Sequence, residues 1–250
     1  MRRTNPHPRA AAPAARPAAL LAATLVALTS ALGAGCAAIR PAQLALPAGL
    51  DTLAAEPIQG IGGAQSGRFS LGASAGRFER SASRLSVFDL VQQDRAAVRY
   101  TLDGDGSRGQ CKLRGNTVTA GVAQLAVKPT AFDCDFARGD GTAAARLELR
   151  AVTTAGMSAG AGTRDERQGT LTAGPVALEL RSIHRVQGSP LPLAAPVGYE
   201  FLQGGRAVAA LELTGTTPRL WRPTDGPLRE PVTQAALALA LLWDPAGNAP

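Results

Sequence analysis

Residues 131–151 read AFDCDFARGDGTAAARLELRA, and two alternations within them decide the fold class. Phe132, Cys134 and Phe136 alternate with Asp133 and Asp135. Leu147, Leu149 and Ala151 alternate with Arg146, Glu148 and Arg150. A period of two puts apolar side chains on one face and charge on the other, as a half-buried strand requires. The same pattern returns upstream, where Val98, Tyr100 and Leu102 alternate with Arg99 and Thr101. It returns downstream, where Val176, Leu178 and Leu180 alternate with Glu179 and Arg181.

Turn chemistry agrees with these strands. Asp103-Gly104-Asp105-Gly106 follows one of them, and Gly204-Gly205 separates 197–203 from 206–214. Asp-Gly and Gly-Gly supply the positive φ angles of tight hairpins. The Gly-rich residues 153–169, around Arg164-Asp165-Glu166-Arg167, read as a long exposed loop. The expectation is one mainly β domain over 67–250, antiparallel, built as a barrel or a sandwich.

The C-terminal segment differs. Residues 232–243 read VTQAALALALLW, and every residue in 235–243 is apolar. Pro231 stands where a helix begins and Pro245 where one stops. A helix that is apolar all round is buried in a core or in a membrane. At about 1.5 Å per residue this one is too short to span a bilayer. The Leu237, Leu239, Leu241 alternation also fits a strand, but the Ala content and flanking prolines favour a helix packed in or on the β domain. An antiparallel β domain ending in a short, wholly apolar helix resembles the tubby-like barrels, which include the LURP-one proteins and phospholipid scramblases. The resemblance rests on 197–220 followed by 232–244 and implies a helix threading a barrel. It carries over no functional residue.

The N-terminus has the order of a secretory signal. Arg2, Arg3, Arg9 and Arg16 precede an uncharged stretch, 18–34, with Leu20, Leu21, Leu25, Val26, Leu28 and Leu32 as its apolar body. Small residues and then Cys36 follow. That is a basic, an apolar and a cleavage region in sequence, and 1–35 reads as a signal peptide. Leu32-Gly33-Ala34-Gly35-Cys36 resembles the lipobox of bacterial lipoproteins, with Leu one position further out than usual. The resemblance implies lipidation of Cys36 and a membrane partner through that anchor. Ala37, in place of the Asp that retains such proteins at the inner membrane, implies the outer membrane, facing the periplasm. Plain signal cleavage and an uncleaved anchor are the alternatives. The Ala-, Pro- and Gly-rich stretch 36–66 reads as a flexible tether.

The whole chain carries 26 Lys+Arg against 19 Asp+Glu, net +7. The signal takes four arginines with it, leaving 22 cations against 19 anions, net +3. So small a charge, with no basic cluster, gives no nucleic-acid footprint. Beyond Cys36 two cysteines remain, Cys111 and Cys134, and an exported pair reads as a disulfide. Cys134 lies on the apolar side of its strand, so the bridge is expected to be internal.

Catalytic and metal signals are thin. His184, in Ser182-Ile183-His184-Arg185, is the one histidine after the signal. It lacks a G-x-S-x-G nucleophile turn, and Ser182 and Ser189 are neighbours in sequence only. Asp103, Asp105 and Ser107 open like a calcium loop, but Arg108 and Arg114 stand at the positions that need Gly and Glu. Asp133 and Asp135 read as solvated carboxylates near Arg138. Gly60-Ile61-Gly62-Gly63 lacks the spacing of a phosphate loop. The proline-rich 189–196 reads as a stiff connector between sheets, with a pocket wall as the alternative. Trp243 reads as core, and Trp221, beside Arg219 and Arg222, is the better candidate of the two for an exposed contact. No cofactor, metal site or catalytic set is expected. The function that follows is a non-enzymatic envelope lipoprotein, a structural module or one binding a partner protein, a lipid or a cell-wall component. The alternatives are a hydrolase working around His184 and a lipid carrier with an internal cavity.

Overall fold

The computed structural model describes residues 42–88, 90–120, 123–152 and 164–245. Cys36 and the signal segment lie outside the described residues, as do 153–163 of the expected loop. Twelve strands form a closed antiparallel barrel in which sequence neighbours are also spatial neighbours. They are β1 (Ala55–Gln59), β2 (Ser66–Leu71), β3 (Ser74–Val87), β4 (Val91–Leu102), β5 (Arg108–Ala120) and β6 (Ala123–Ala137). The second half is β7 (Ala143–Ala151), β8 (Arg167–Ala173), β9 (Val176–Ile183), β10 (Gly198–Gln203), β11 (Arg206–Glu212) and β12 (Arg219–Trp221). Closure is made by β1 against β12, with Ala55 opposite Trp221 and Pro57 opposite Arg219. The barrel alternative therefore holds over the sandwich.

A barrel of twelve strands encloses more space than wall side chains can fill. Helix α1 (Arg229–Leu241) fills it. Every residue in 231–241 is buried, and the helix lies against β4, β5, β6, β7, β8 and β11. Leu237, Leu239 and Leu241 share one core with inward residues of the wall such as Val98, Phe132, Leu147 and Leu171. Tyr100, also from the wall, donates its hydroxyl to the Gln234 carbonyl at 2.9 Å. A helix surrounded by wall has no polar side to offer, which is why 235–243 is apolar without a period. The packed interior removes the lipid carrier with an internal cavity.

The helix also dictates where glycine is needed. Phe78, Phe69 and Tyr100 face Gly67, Gly76 and Gly109 across neighbouring strands. Each ring lies over its glycine: a Cβ on Gly109 would sit 2.3 Å from the Tyr100 ring, and one on Gly76 2.6 Å from that of Phe69. With the axis occupied, the rings lie along the wall, and only a residue without a side chain leaves room there.

Cys111 and Cys134 are direct cross-strand partners on β5 and β6 and form a disulfide, both side chains inside the barrel. Outside, charge is laid in pairs. Arg150 meets Asp133 at 2.6 Å, Arg146 meets Glu148 at 2.8 Å, and Arg181 meets Glu179 at 3.0 Å. Asp133 and Asp135 are thus matched by Arg150 and Arg146 of β7 rather than by Arg138. A charged exterior is the reverse of the apolar band of a barrel bathed in lipid. No described helix is long and apolar enough to cross a membrane.

Two expectations are corrected. The tether reading of 36–66 fails from residue 42 onward, because β1 belongs to the wall. Residues 42–54 form a strap over the outer face of β10 and β11, where Leu44 and Leu50 bury against Val197 and Ala210. Leu44 N–H donates to the buried Glu212 carboxylate at 2.7 Å, and Leu44 bridges Val186. Glu212 also accepts from the Thr214 hydroxyl at 2.6 Å and from Arg219 Nε at 2.7 Å. Proline and glycine made the segment irregular without making it loose. The loop reading of 153–169 ends early, since Arg167 opens β8 and is buried at 4 % exposure.

Candidate functional site

Past Arg80, β3 loses β2 as a neighbour, because the β2 ladder ends at Ser66 opposite Glu79. On the far side, β7 reaches only as far as Ala131 of β6. The four strands β3 to β6 continue beyond this rim, paired only with one another. The helix ends at the same rim, so the space above its last turn is open. There lies a cleft of about 720 Å³ lined by Ile61, Arg80, Tyr199, Leu213, Leu242 and Trp243, with Ala194 to Pro196 as one wall.

Two arginines define the polar part of the cleft. Arg80 follows Gly76 and Phe78 on the inward side of β3. Its guanidinium stacks 5.3 Å from the centroids of both the Phe78 and Trp243 rings. It donates to the carbonyls of Ala64 and Ile61 at 2.9 and 3.2 Å, and to that of Gly62. Burial lowers its pKa below the usual arginine range. Arg167, inward on β8 with Gly169 and Leu171, is bonded to both Asp165 and Asp244 and donates to the Tyr199 hydroxyl at 3.4 Å. Burial works against its charge, but Tyr199, Asp244 and Asp165 outweigh burial and raise its pKa. Burial pushes the Tyr199 hydroxyl up in turn. The network ties the C-terminal end of α1, through Asp244, to the wall. Trp243 is half-buried and forms a cleft wall, which corrects the core reading. Trp221 is half-buried too, under the Arg219 guanidinium at 5.6 Å.

Residues 189–196 do not make the crossover between sheets that was expected from the sequence. They connect β9 to β10, which are neighbours in one wall, and their last three residues line the cleft. The pocket-wall alternative is the correct one.

A second concavity, of about 460 Å³, contains Ser182, His184, Arg164, Arg181, Pro192 and Glu200. Here the structure brings together what sequence only juxtaposed. Ser182 Oγ lies 3.0 Å from His184 Nε2, and His184 Nδ1 lies 2.9 Å from the Leu193 carbonyl. A carbonyl only accepts, so Nδ1 carries the proton and Nε2 is left to accept from the serine hydroxyl. Ser182 Oγ also accepts from the Arg167 amide at 2.8 Å. His184 is buried at 7 % exposure, and its main-chain carbonyl accepts from Leu193 N–H at 2.7 Å. Both ends of the histidine thus hold the 185–196 connector. Ser189 stands apart, bonded to Leu191. Burial raises the Glu200 carboxyl, partly countered by Arg181 opposite it.

The Asp103–Ser107 region is a turn, in which Asp105 accepts from Ser107 N–H at 2.9 Å and from its hydroxyl at 2.8 Å. Among the described residues no group of three potential metal ligands is found. Arg80 and Arg167 were the functional residues hardest to see. Their sequence signal is an arginine at the inward parity of a strand, in step with Phe78 and with Leu171. No protein-family model, curated protein or solved structure matches the chain.

Proposed function

We propose that this chain is an exported protein of the bacterial cell envelope, anchored through lipid on Cys36 at the outer membrane and facing the periplasm, and that its barrel is a binding module. The observation that carries the binding reading is the position of α1. With the interior filled by Leu237, Leu239 and Leu241, ligand contact falls to the rim, where the 720 Å³ cleft is of ligand-site size. Leu213, Leu242 and Trp243 offer apolar surface there, and Arg80 offers a cation held by carbonyls and rings. That pairing suits an apolar chain ending in an anion, from a lipid or an envelope protein. The paired cysteines and the helix inside a closed antiparallel barrel support export and the tubby-like resemblance respectively.

The test has two parts. Intact mass of the native protein is expected to show a lipidated chain beginning at Cys36, and Cys36→Ala to abolish the lipid. A photo-crosslinking residue at Trp243 is expected to capture a ligand in intact cells, and one at Thr172 on the outer wall to capture none. Equal capture from both positions rejects the rim as the site.

The second reading is an envelope hydrolase, favoured by one observation, the Ser182–His184–Leu193 relay. It places a hydroxyl on an imidazole in the base tautomer, with a backbone carbonyl as the orienting group. In that reading His184 Nε2 takes the Ser182 proton as Oγ attacks an ester carbonyl. It predicts labelling of Ser182 by a fluorophosphonate and ester turnover abolished by Ser182→Ala and by His184→Ala. The binding reading predicts neither, and a looser 185–196 connector in His184→Ala.

A further inference from the structure

The four strands beyond the rim form a blade whose two faces and tip differ in chemistry. Its tip is the β3–β4 turn, where 85–91 read LSVFDLV, apolar apart from Ser86 and Asp89. Phe88 is 90 % exposed there, with Leu85 at 58 %, Leu90 at 55 % and Val87 at 43 %. Phe88 has φ of 49°, the left-handed region. Hairpin turns place Gly or Asn at such positions, and a bulky residue there is strained. Nothing in the barrel gains from it, because the ring touches solvent.

Behind the tip stands a band of cations. Arg95 and Arg114 are direct partners on β4 and β5, and Lys112 follows one step down. They face outward with Ser81 and Ser83 along a groove of about 540 Å³. Like charges directly opposite each other destabilise a sheet. An anion between them relieves that cost. By strand alternation Leu85, Val87 and Val91 lie on the same face as Arg95. Arg95 lies four positions along the strand from Val91, about 14 Å. Residues 81–98 and 111–130 together carry five cations against two anions.

We propose that this blade is a membrane-contacting element: its apolar tip enters the acyl boundary of a bilayer, and the Arg95–Arg114 band meets the phosphates of anionic phospholipids. Interfacial elements bury their apolar part about 5–10 Å deep with cations at the headgroups, and the long Arg95 and Arg114 side chains span the remaining distance to the phosphates. A protein partner fits less well. On one edge of the blade Pro129 stands where the β5–β6 register jumps, which opposes strand addition there. The proposal holds whether or not Cys36 carries lipid, since a second contact strengthens a first.

The experiment reads the depth of residue 88 rather than total binding, so the N-terminal segment, common to all variants, does not enter. Full-length Phe88→Trp is mixed with vesicles of phosphatidylcholine and phosphatidylglycerol (3:1) bearing brominated acyl chains, and the wild-type signal of Trp221 and Trp243 is subtracted. Leu90→Trp serves as a second reporter, and circular dichroism checks that both fold. The expected result is a blue shift and roughly twofold quenching, absent on phosphatidylcholine alone. Arg95→Gln with Arg114→Gln is expected to raise the lipid concentration for half-maximal quenching by about fivefold for each cation removed. Emission unshifted and unquenched on the anionic vesicles overturns the proposal. So does a dimer in solution that Phe88→Asp dissolves while the lipid signal is absent, which assigns the tip to a second copy. Strand addition by a peptide along 81–87, again without lipid quenching, overturns it likewise.

Discussion

β3 is one strand with two fates. Its first half, up to Arg80, has partners on both sides and sends Gly76 and Phe78 into a sealed core. In its second half, 81–87, every residue is exposed. Backbone pairing to β4 continues without interruption through both halves. What changes is the loss of β2 at its other edge and of α1 underneath. The helix is 13 residues long, so it supports the wall for about 20 Å and no further. Where it stops, the wall becomes a blade, and at the junction the cleft opens. Strand pairing alone therefore makes sheet, while burial against the helix makes barrel.

The sharpest way to break this comparison is to damage the helix. Leu237→Asp places an unpaired carboxylate at the barrel axis and is expected to prevent folding, seen as loss of the near-ultraviolet dichroism and rapid proteolysis. Leu85→Ser, on the blade, is expected to leave urea stability within about 0.5 kcal/mol of wild type. If both behave alike, the helix is not the organising element.

Next in size is the bridge across β5 and β6. Replacing Cys111 and Cys134 together by Ala is expected to lower stability by about 3 kcal/mol, since 23 residues separate them and the unfolded chain regains that freedom. The readout is the urea midpoint under non-reducing conditions. Gly109→Ala follows, at about 2 kcal/mol, because the new methyl meets the Tyr100 ring. Tyr100 is fixed by the Gln234 carbonyl and has little room to withdraw. The added Tyr100→Leu change is expected to recover part of that loss.

The smallest effect concerns pH at the other end of the helix. Glu56 of β1 accepts from Arg222 at 3.0 and 2.9 Å, and Arg222 in turn donates to Thr233 of α1. The Arg222 hydrogen bond holds the Glu56 pKa below 4.5, although burial pushes the other way. A depressed carboxylate stabilises the fold above its unfolded pKa and loses that contribution as pH falls through the folded value. Thermal midpoints are therefore expected to fall more steeply below pH 4.5 in wild type than in Glu56→Gln, with no difference between their slopes near pH 7.

Much of the fold was legible because its signals are local. Alternation of Phe132, Cys134 and Phe136 with aspartates places those residues on one face, and they are inside. It also places Cys134 inside, and Cys111 meets it there. The strap of 42–54 was illegible because its anchors are remote: Leu44 reaches Glu212, 168 residues away. Its composition resembles a linker, and composition does not record a distant carboxylate. For the same reason β10 and β11 show consecutive apolar residues, Phe201-Leu202 and AVAAL, rather than alternation, since the strap covers their outer face. The candidate site was hardest to read. Arg80, Arg167 and Trp243 come from three separate elements and converge only at the rim.

By itself the sequence determined that strands would form, which faces they would bury, where they would turn, and that the last apolar segment would be enclosed. Each of these follows from side-chain period, turn residues and hydrophobicity, which act over a few residues. Only the tertiary structure decided that β1 would find β12, that the enclosing object would be a closed barrel, and that Ser182 and His184 would share a hydrogen bond beside a held connector. Those choices depend on the number of strands that just surround one helix, and no local stretch of chain encodes that number.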